Sequence, residues 1–169
     1  MMELLTNRAI MPAIKKIQHM FFDKPNTRQD ILNIESWVKS LKTNVDISCY
    51  PLYQYLENGL YTREIHMPAG HMICSRIHKD DYFIAILKGK AWVINEFENR
   101  VVLGPCAFTI KGGAKNILFI LEDMVWIDTH NVKAKELKEA EKEIFVETYD
   151  ELEKYQNIIN EGKQCQAQL

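Results

Sequence analysis

The chain has no pair of cysteines in a CxxC arrangement. Its four cysteines, Cys49, Cys74, Cys106 and Cys165, are scattered, which excludes a zinc ribbon and a thioredoxin-type motif. It has no basic excess either: 21 Lys and Arg stand against 23 Asp and Glu, a formal charge of −2. That balance argues against a general nucleic-acid binder. No apolar run approaches the roughly 18 residues of a membrane-spanning helix. Glu3, with no long apolar run after it, argues against a secretory signal, so a cytoplasmic protein is expected. The G-x-S-x-G, P-loop and H-E-x-x-H signatures are missing. Lys111 to Lys115 lacks the spacing and the following helix of a phosphate loop, and is read as a hairpin turn.

The 169 residues are 47 % hydrophobic and 26 % charged, a globular composition with enough length to bury a core without a disulfide or metal staple. Three zones differ in texture. Residues 1–47 form a helical segment. Thr27 and Asp30 suit an N-terminal cap, and Ile31, Ile34, Val38 and Leu41 then recur at helical spacing; an earlier helix, reaching Phe22, is interrupted by Pro12. Residues 48–131 hold short β-branched and aromatic runs between turn signals such as Asn58-Gly59, Lys88-Gly89 and Gly104-Pro105, the pattern of an all-β sandwich or barrel. Residues 132–169 return to helix and end in a tail. Leu137, Ala140 and Ile144 make one stripe, Thr148 and Glu151 form a capping box for a second helix, and Gly162 is expected to stop it.

The segment from Gly70 to Gly89, with Ile77-His78-Lys79 inside it, resembles the first motif of the cupin superfamily, G-x5-H-x-H-x3-E-x6-G. Gly104 through Gly112 to Lys115 partly echoes the second. Tyr61 to Ile65, Pro68-Ala69-Gly70, Leu87 to Lys90 and Leu121 to Trp126 are similar, in order and spacing, to a group of small cupin-like proteins encoded by tailed bacteriophages; that likeness runs over about residues 48 to 152. It implies a mainly β fold, a small double-stranded β-helix barrel flanked by an N-terminal helical segment and C-terminal helices. It also implies homodimers or higher homo-oligomers, and the host cytoplasm as location.

Position by position, the resemblance leaves His78 as the single competent metal ligand among four, because Arg76, Tyr82 and Lys115 occupy the other slots. No cofactor is therefore expected, although His78 and His130 together could hold a metal ion. By strand parity Met72, Cys74, Arg76 and His78 share a face, which motif placement makes the inward one. Arg76, Lys115, His78 and the Tyr82 hydroxyl would then present donors to an anion. The competing reading pairs Arg76 with Glu64 or Asp128 and leaves Lys115 in solvent. Trp126 and His130 complete the expected ligand set, with aromatic rings nearby as a stacking wall or as plain core.

Three functions follow. The first is a non-catalytic barrel binding a small anionic molecule or nucleotide, such as a sequestered host-defence signal. The second is a metal-dependent cupin enzyme using His78 and His130. The third is a structural or inhibitory protein that binds a host protein and has an empty barrel. The loss of metal ligands favours a protein that is not an enzyme, and neither general nucleic acid nor membrane is expected as a partner.

Overall fold

The computed structural model describes residues 27–40 and 50–166, with side chains to residue 161. In chain order the elements are α1 (Arg28–Ser40), β1 (Leu52–Glu57), β2 (Leu60–Met67), β3 (Met72–His78), β4 (Tyr82–Ile94), β5 (Asn99–Leu103), β6 (Cys106–Ile110), β7 (Lys115–Asn131), α2 (Leu137–Ile144), β8 (Phe145–Val146) and α3 (Tyr149–Gln166). The fold is mainly β with helices before and after, as expected. Residues 1–26, Leu41 and the remainder of 41–49 lie outside the described residues, and with them the expected earlier helix.

Two long strands organise the sheet. β4 and β7 pair antiparallel from Phe83↔Thr129 to Ile94↔Ile117, and their register shifts around Lys88 and Lys90. Gly89 sits at that point with φ +95°, and a Cβ there would lie 2.4 Å from the Asp123 carbonyl oxygen. Only glycine accepts that conformation and that approach. On either side of the irregularity the outer partners change. β7 pairs with β3 along its first half and with β2 along its second, and β4 pairs with β6 and then β5. The result is two half-sheets, β1-β2-β7-β4-β6 and β8-β3-β7-β4-β5, which share their two central strands. Their inner faces meet in one core: Ile65, Ile84, Ile86, Met124 and Trp126 from one half pack with Ile73, Val93, Leu118 and Ile120 from the other.

One outer face is covered by α1. The helix begins with a reciprocal cap in which the Asp30 N–H donates to Thr27 Oγ1 at 3.1 Å and the Thr27 N–H donates to the Asp30 carboxylate at 3.0 Å. Its stripe of Ile31, Ile34 and Val38 then buries against Met72, Trp92, Ile94, Ile117 and Phe119. Each such aliphatic side chain contributes about 1.5–3 kcal/mol by leaving water.

Three expectations are corrected. Residues 111–114 do not close a hairpin, because β6 and β7 lie on opposite edges of β4. The turn crosses between them and is held by Asp81, which accepts the Gly112 N–H at 2.9 Å. A Cβ on Gly112 would come within 2.6 Å of the Asp80 backbone. The C-terminal helices are separated by a two-residue strand, β8, which pairs with β3 through Ile77↔Val146 and His78↔Phe145. Finally, α3 runs through Gly162 to Gln166, since glycine in a helix costs only about 1 kcal/mol. Its cap is at Thr148, whose Oγ1 accepts the Glu151 N–H at 3.2 Å. No described helix is long and apolar enough to cross a membrane.

Candidate metal centre

At one end of the core the inward positions become polar. β2 turns Tyr61 and Arg63 inward on the same parity as Ile65 and Met67, and β7 places Asp128 and His130 in line with Met124 and Trp126. β4 begins with Tyr82, and β7 begins with Lys115 on its outer side and Asn116 on its inner side. His78 joins them through a bulge in β3. Between Cys74↔Ile117 and Ile77↔Lys115, three steps on β3 face two on β7. The extra residue reverses the alternation. Met72 and Cys74 therefore face outward under α1, while His78 faces in. The expected shared inward face of Met72, Cys74, Arg76 and His78 does not form.

Arg63 and Asp128 make a bidentate ion pair, with Nε to Oδ1 at 2.9 Å and Nη2 to Oδ2 at 2.5 Å, and both are buried. Burial would raise the Asp128 pKa. The Arg63 charge and its hydrogen bonds, together with the nearby His130 ring, outweigh that and hold the carboxylate ionised well below the usual range. Beside this pair stand three near-parallel rings. His78 and Tyr82 have centroids 3.9 Å apart at 11°, Tyr82 and His130 4.9 Å at 20°, and the two imidazoles 5.3 Å at 8°. The Tyr82 hydroxyl accepts from Asn116 Nδ2 at 2.9 Å, and burial pushes its pKa far up, so it stays a phenol. Phe145 of β8 closes the end, edge-on to His78 at 4.8 Å and to His130 at 6.1 Å.

Among the described residues, both ring nitrogens of His78 and Nε2 of His130 are buried without a hydrogen-bond partner. His130 Nε2 lies 3.3 Å from Asp128 Oδ1 but is poorly aligned for a hydrogen bond. Burial, reinforced by Arg63, His130 and Arg76 against the opposing Asp128, depresses the His78 pKa well below its ordinary value. His78 is therefore a neutral imidazole, the form that ligates metals. One ligand atom from each of His78, Asp128 and His130 falls within a group spanning 4.8 Å. A tetrahedral ion at about 2.0–2.2 Å from each ligand needs them roughly 3.5 Å apart, so small side-chain rotations would close the set. Two imidazoles and a carboxylate suit zinc or a first-row divalent ion. Arg63, bonded to both carboxylate oxygens, has the place of the outer group that orients a ligating carboxylate.

Of the residues expected from sequence, the structure gathers His78, Tyr82 and His130. It does not gather the others. Arg76 sits in the bulge at the rim, paired with Glu141 at 3.1 Å, with its guanidinium 4.0 Å over Phe145. It pairs with neither Glu64 nor Asp128. Lys115 shares the outward parity of Ile117, and its ammonium meets Glu35 of α1 at 3.0 Å, buried rather than in solvent. Trp126 faces inward but lies among the aliphatic core residues, edge-on to Phe108. Each of the two cations expected to hold an anion is thus already matched by a carboxylate. Arg63, Asn116 and Phe145 escaped the sequence reading. Arg63 carried a usable signal, an alternation with Ile65 and Met67; its pairing with Asp128 depends on the β2–β7 register.

No protein-family model and no curated protein matches the chain. Solved structures similar to it include a cupin superfamily protein from Desulfitobacterium hafniense, at 6 % identity over 53 % of this chain and 84 % of that one, with a TM-score of 0.44. A second is an RmlC-like cupin with a double-stranded β-helix fold from Methanocaldococcus jannaschii, at 10 % identity over 55 % and 87 %, TM-score 0.44. A third is KdgF from a Halomonas species, at 17 % identity over 51 % and 81 %, TM-score 0.44. None of these likenesses passes an activity or a ligand to this chain, and none bears on the narrower resemblance to phage proteins.

Proposed function

We propose that this protein is a metal-binding β-barrel that holds one divalent transition-metal ion through His78, His130 and Asp128. The observation that carries this reading is the set of three buried imidazole nitrogens that have no partner among the described residues, gathered beside an ionised carboxylate. A buried polar atom left unbonded costs about 1–3 kcal/mol, and a bound ion would remove that cost at the two nitrogens it ligates. Arg63 keeps Asp128 ionised and oriented, and the Tyr82 ring packs against both imidazoles. An ion bound here would supply a Lewis-acid centre. The anion reading has less support, because Arg76 and Lys115 are both engaged elsewhere.

The test is titration of the tag-free chain with cobalt(II) and zinc. Expected is about one ion per chain, with cobalt absorption bands of a nitrogen- and oxygen-ligated centre, and loss of both signals in His78→Ala and His130→Ala. No binding in the wild type, or binding indifferent to both substitutions, would overturn the reading.

A further inference from the structure

The segment that closes the polar end is built differently from the barrel beneath it. Phe145 packs edge-on against the imidazoles, yet β8 is only two residues long and among the described residues pairs with β3 alone. α2, just before it, rests on the barrel through Ala140 and Ile144 against Tyr61 and Val132. Lys79 donates to the Lys142 carbonyl at 2.6 Å and Glu143 accepts the Lys133 N–H at 2.8 Å, and one further side chain gathers contacts from three strands. Glu141 accepts from Gln54 Nε2 of β1 at 2.8 Å, from the Tyr61 hydroxyl of β2 at 3.3 Å and from Arg76 Nη2 of β3 at 3.1 Å. Three strands are thereby tied to one carboxylate, which is itself 30 % exposed. A cavity flanks the segment on each side. One of about 440 Å³ is lined by Arg76, Glu141, Phe145 and Glu151. The other, of about 570 Å³, is lined by His130, Glu143, Ile144 and Tyr155.

We propose that α2 and β8 form a lid over the buried histidines, latched by Glu141, which opens as a unit to admit whatever reaches His78 and His130. The lid rests on the metal-centre reading for its purpose, but not for its geometry. Water attack on a single charge-assisted node loosens three strand contacts at once, while the flanking cavities leave room for the segment to swing. Opening gives solvent the imidazole nitrogens that Phe145 covers. A gate of this kind changes entry and exit rates by the same factor, so equilibrium affinity is unmoved.

The experiment uses the full chain and three readouts. In native-state hydrogen exchange of the wild type, amides of Leu137–Val146 exchange as a group, on the order of a hundredfold faster than those of β4 and β7. Without metal, diethyl pyrocarbonate modifies His78 and His130 slowly relative to the half-exposed His66. Glu141→Ala speeds this on the order of tenfold or more, as expected for losing hydrogen bonds to a charged group, and the control Glu139→Gln does not. With zinc, Glu141→Ala accelerates uptake and chelator release equally. Protection of Leu137–Val146 equal to that of β4 and β7, or histidine modification at the same rate in wild type and Glu141→Ala, would overturn the lid. Faster modification with no zinc bound by either protein supports the lid and removes the metal reading. Zinc binding with rates indifferent to Glu141 overturns the lid and leaves the metal reading standing.

Discussion

The two ends of the barrel interior are made by the same strands and differ completely in chemistry. Along β2 the inward side chains run Arg63, Ile65, Met67; along β4, Tyr82, Ile84, Ile86; along β7, Met124, Trp126, Asp128, His130. Two residues of travel on each strand convert a dry aliphatic packing into an ion pair, stacked rings and unbonded nitrogens. The dry end is where Gly89 meets Asp123 and the central strands change outer partners. The polar end is where strands begin and finish, and it needs a separate piece, α2 with β8, to cover it. Alternation therefore fixes which side chains enter a barrel, while position along the strand decides what they can do there.

The comparison breaks most severely at Asp128. Asp128→Ala leaves Arg63 buried without a partner and is expected to cost about 3–5 kcal/mol in chemical denaturation. The double replacement Arg63→Met with Asp128→Leu, which makes the polar end resemble the dry one, should cost far less and abolish metal binding. Next comes the ion itself. At a free zinc concentration about 100 times its dissociation constant, the wild type should gain about 2.7 kcal/mol, visible as a rise in Tm that His78→Ala does not show.

In metal-free protein the polar end should also confer an acid sensitivity that the dry end lacks. His78 has its pKa depressed in the folded state. Below the unfolded value of about 6.5 the unfolded chain takes up a proton that the folded one refuses. Stability then falls as pH drops below that value, because only the unfolded chain binds this proton. His71, depressed by burial, acts in the same direction. Asp128, held low, contributes stability that is lost only on acidification below its unfolded value of about 3.9. A pH series of denaturation midpoints should show a shallower slope in His78→Phe. The smallest effect is expected at the dry end, where Ile86→Val should cost about 0.5–1.5 kcal/mol, with no change in pH slope or metal binding.

Much of the architecture was legible from residue order. The Thr27–Asp30 cap, the Ile31, Ile34 and Val38 stripe, the run of short strands and the Thr148 cap all rest on neighbours within a few positions. The candidate site was half legible. His78 and Tyr82 are readable from their places in the cupin-like motif, and His130 from the alternation along β7. Alternation puts Asp128 on the face of His130 and Trp126, but offers it no role beyond a partner for Arg76. Ascribing an anion site to Arg76 and Lys115 depended on parity continuing through β3 and on motif placement at the start of β7. One inserted residue between Cys74 and Ile77 undid the first. Lys115, one position from the inward Asn116, undid the second.

The sequence by itself determined the strand and helix pattern, the caps and the glycine at the central irregularity, because those obey local rules of spacing, capping and backbone freedom. The tertiary structure alone decided that Arg63 meets Asp128, that Glu35 takes Lys115, that Glu141 ties three strands, and that Phe145 covers the histidines. Those pairings join residues separated by 65 to 87 positions or lying on different elements. They follow from strand register and from where α1, α2 and β8 dock, and a one-residue change of register exchanges the whole set of facing side chains.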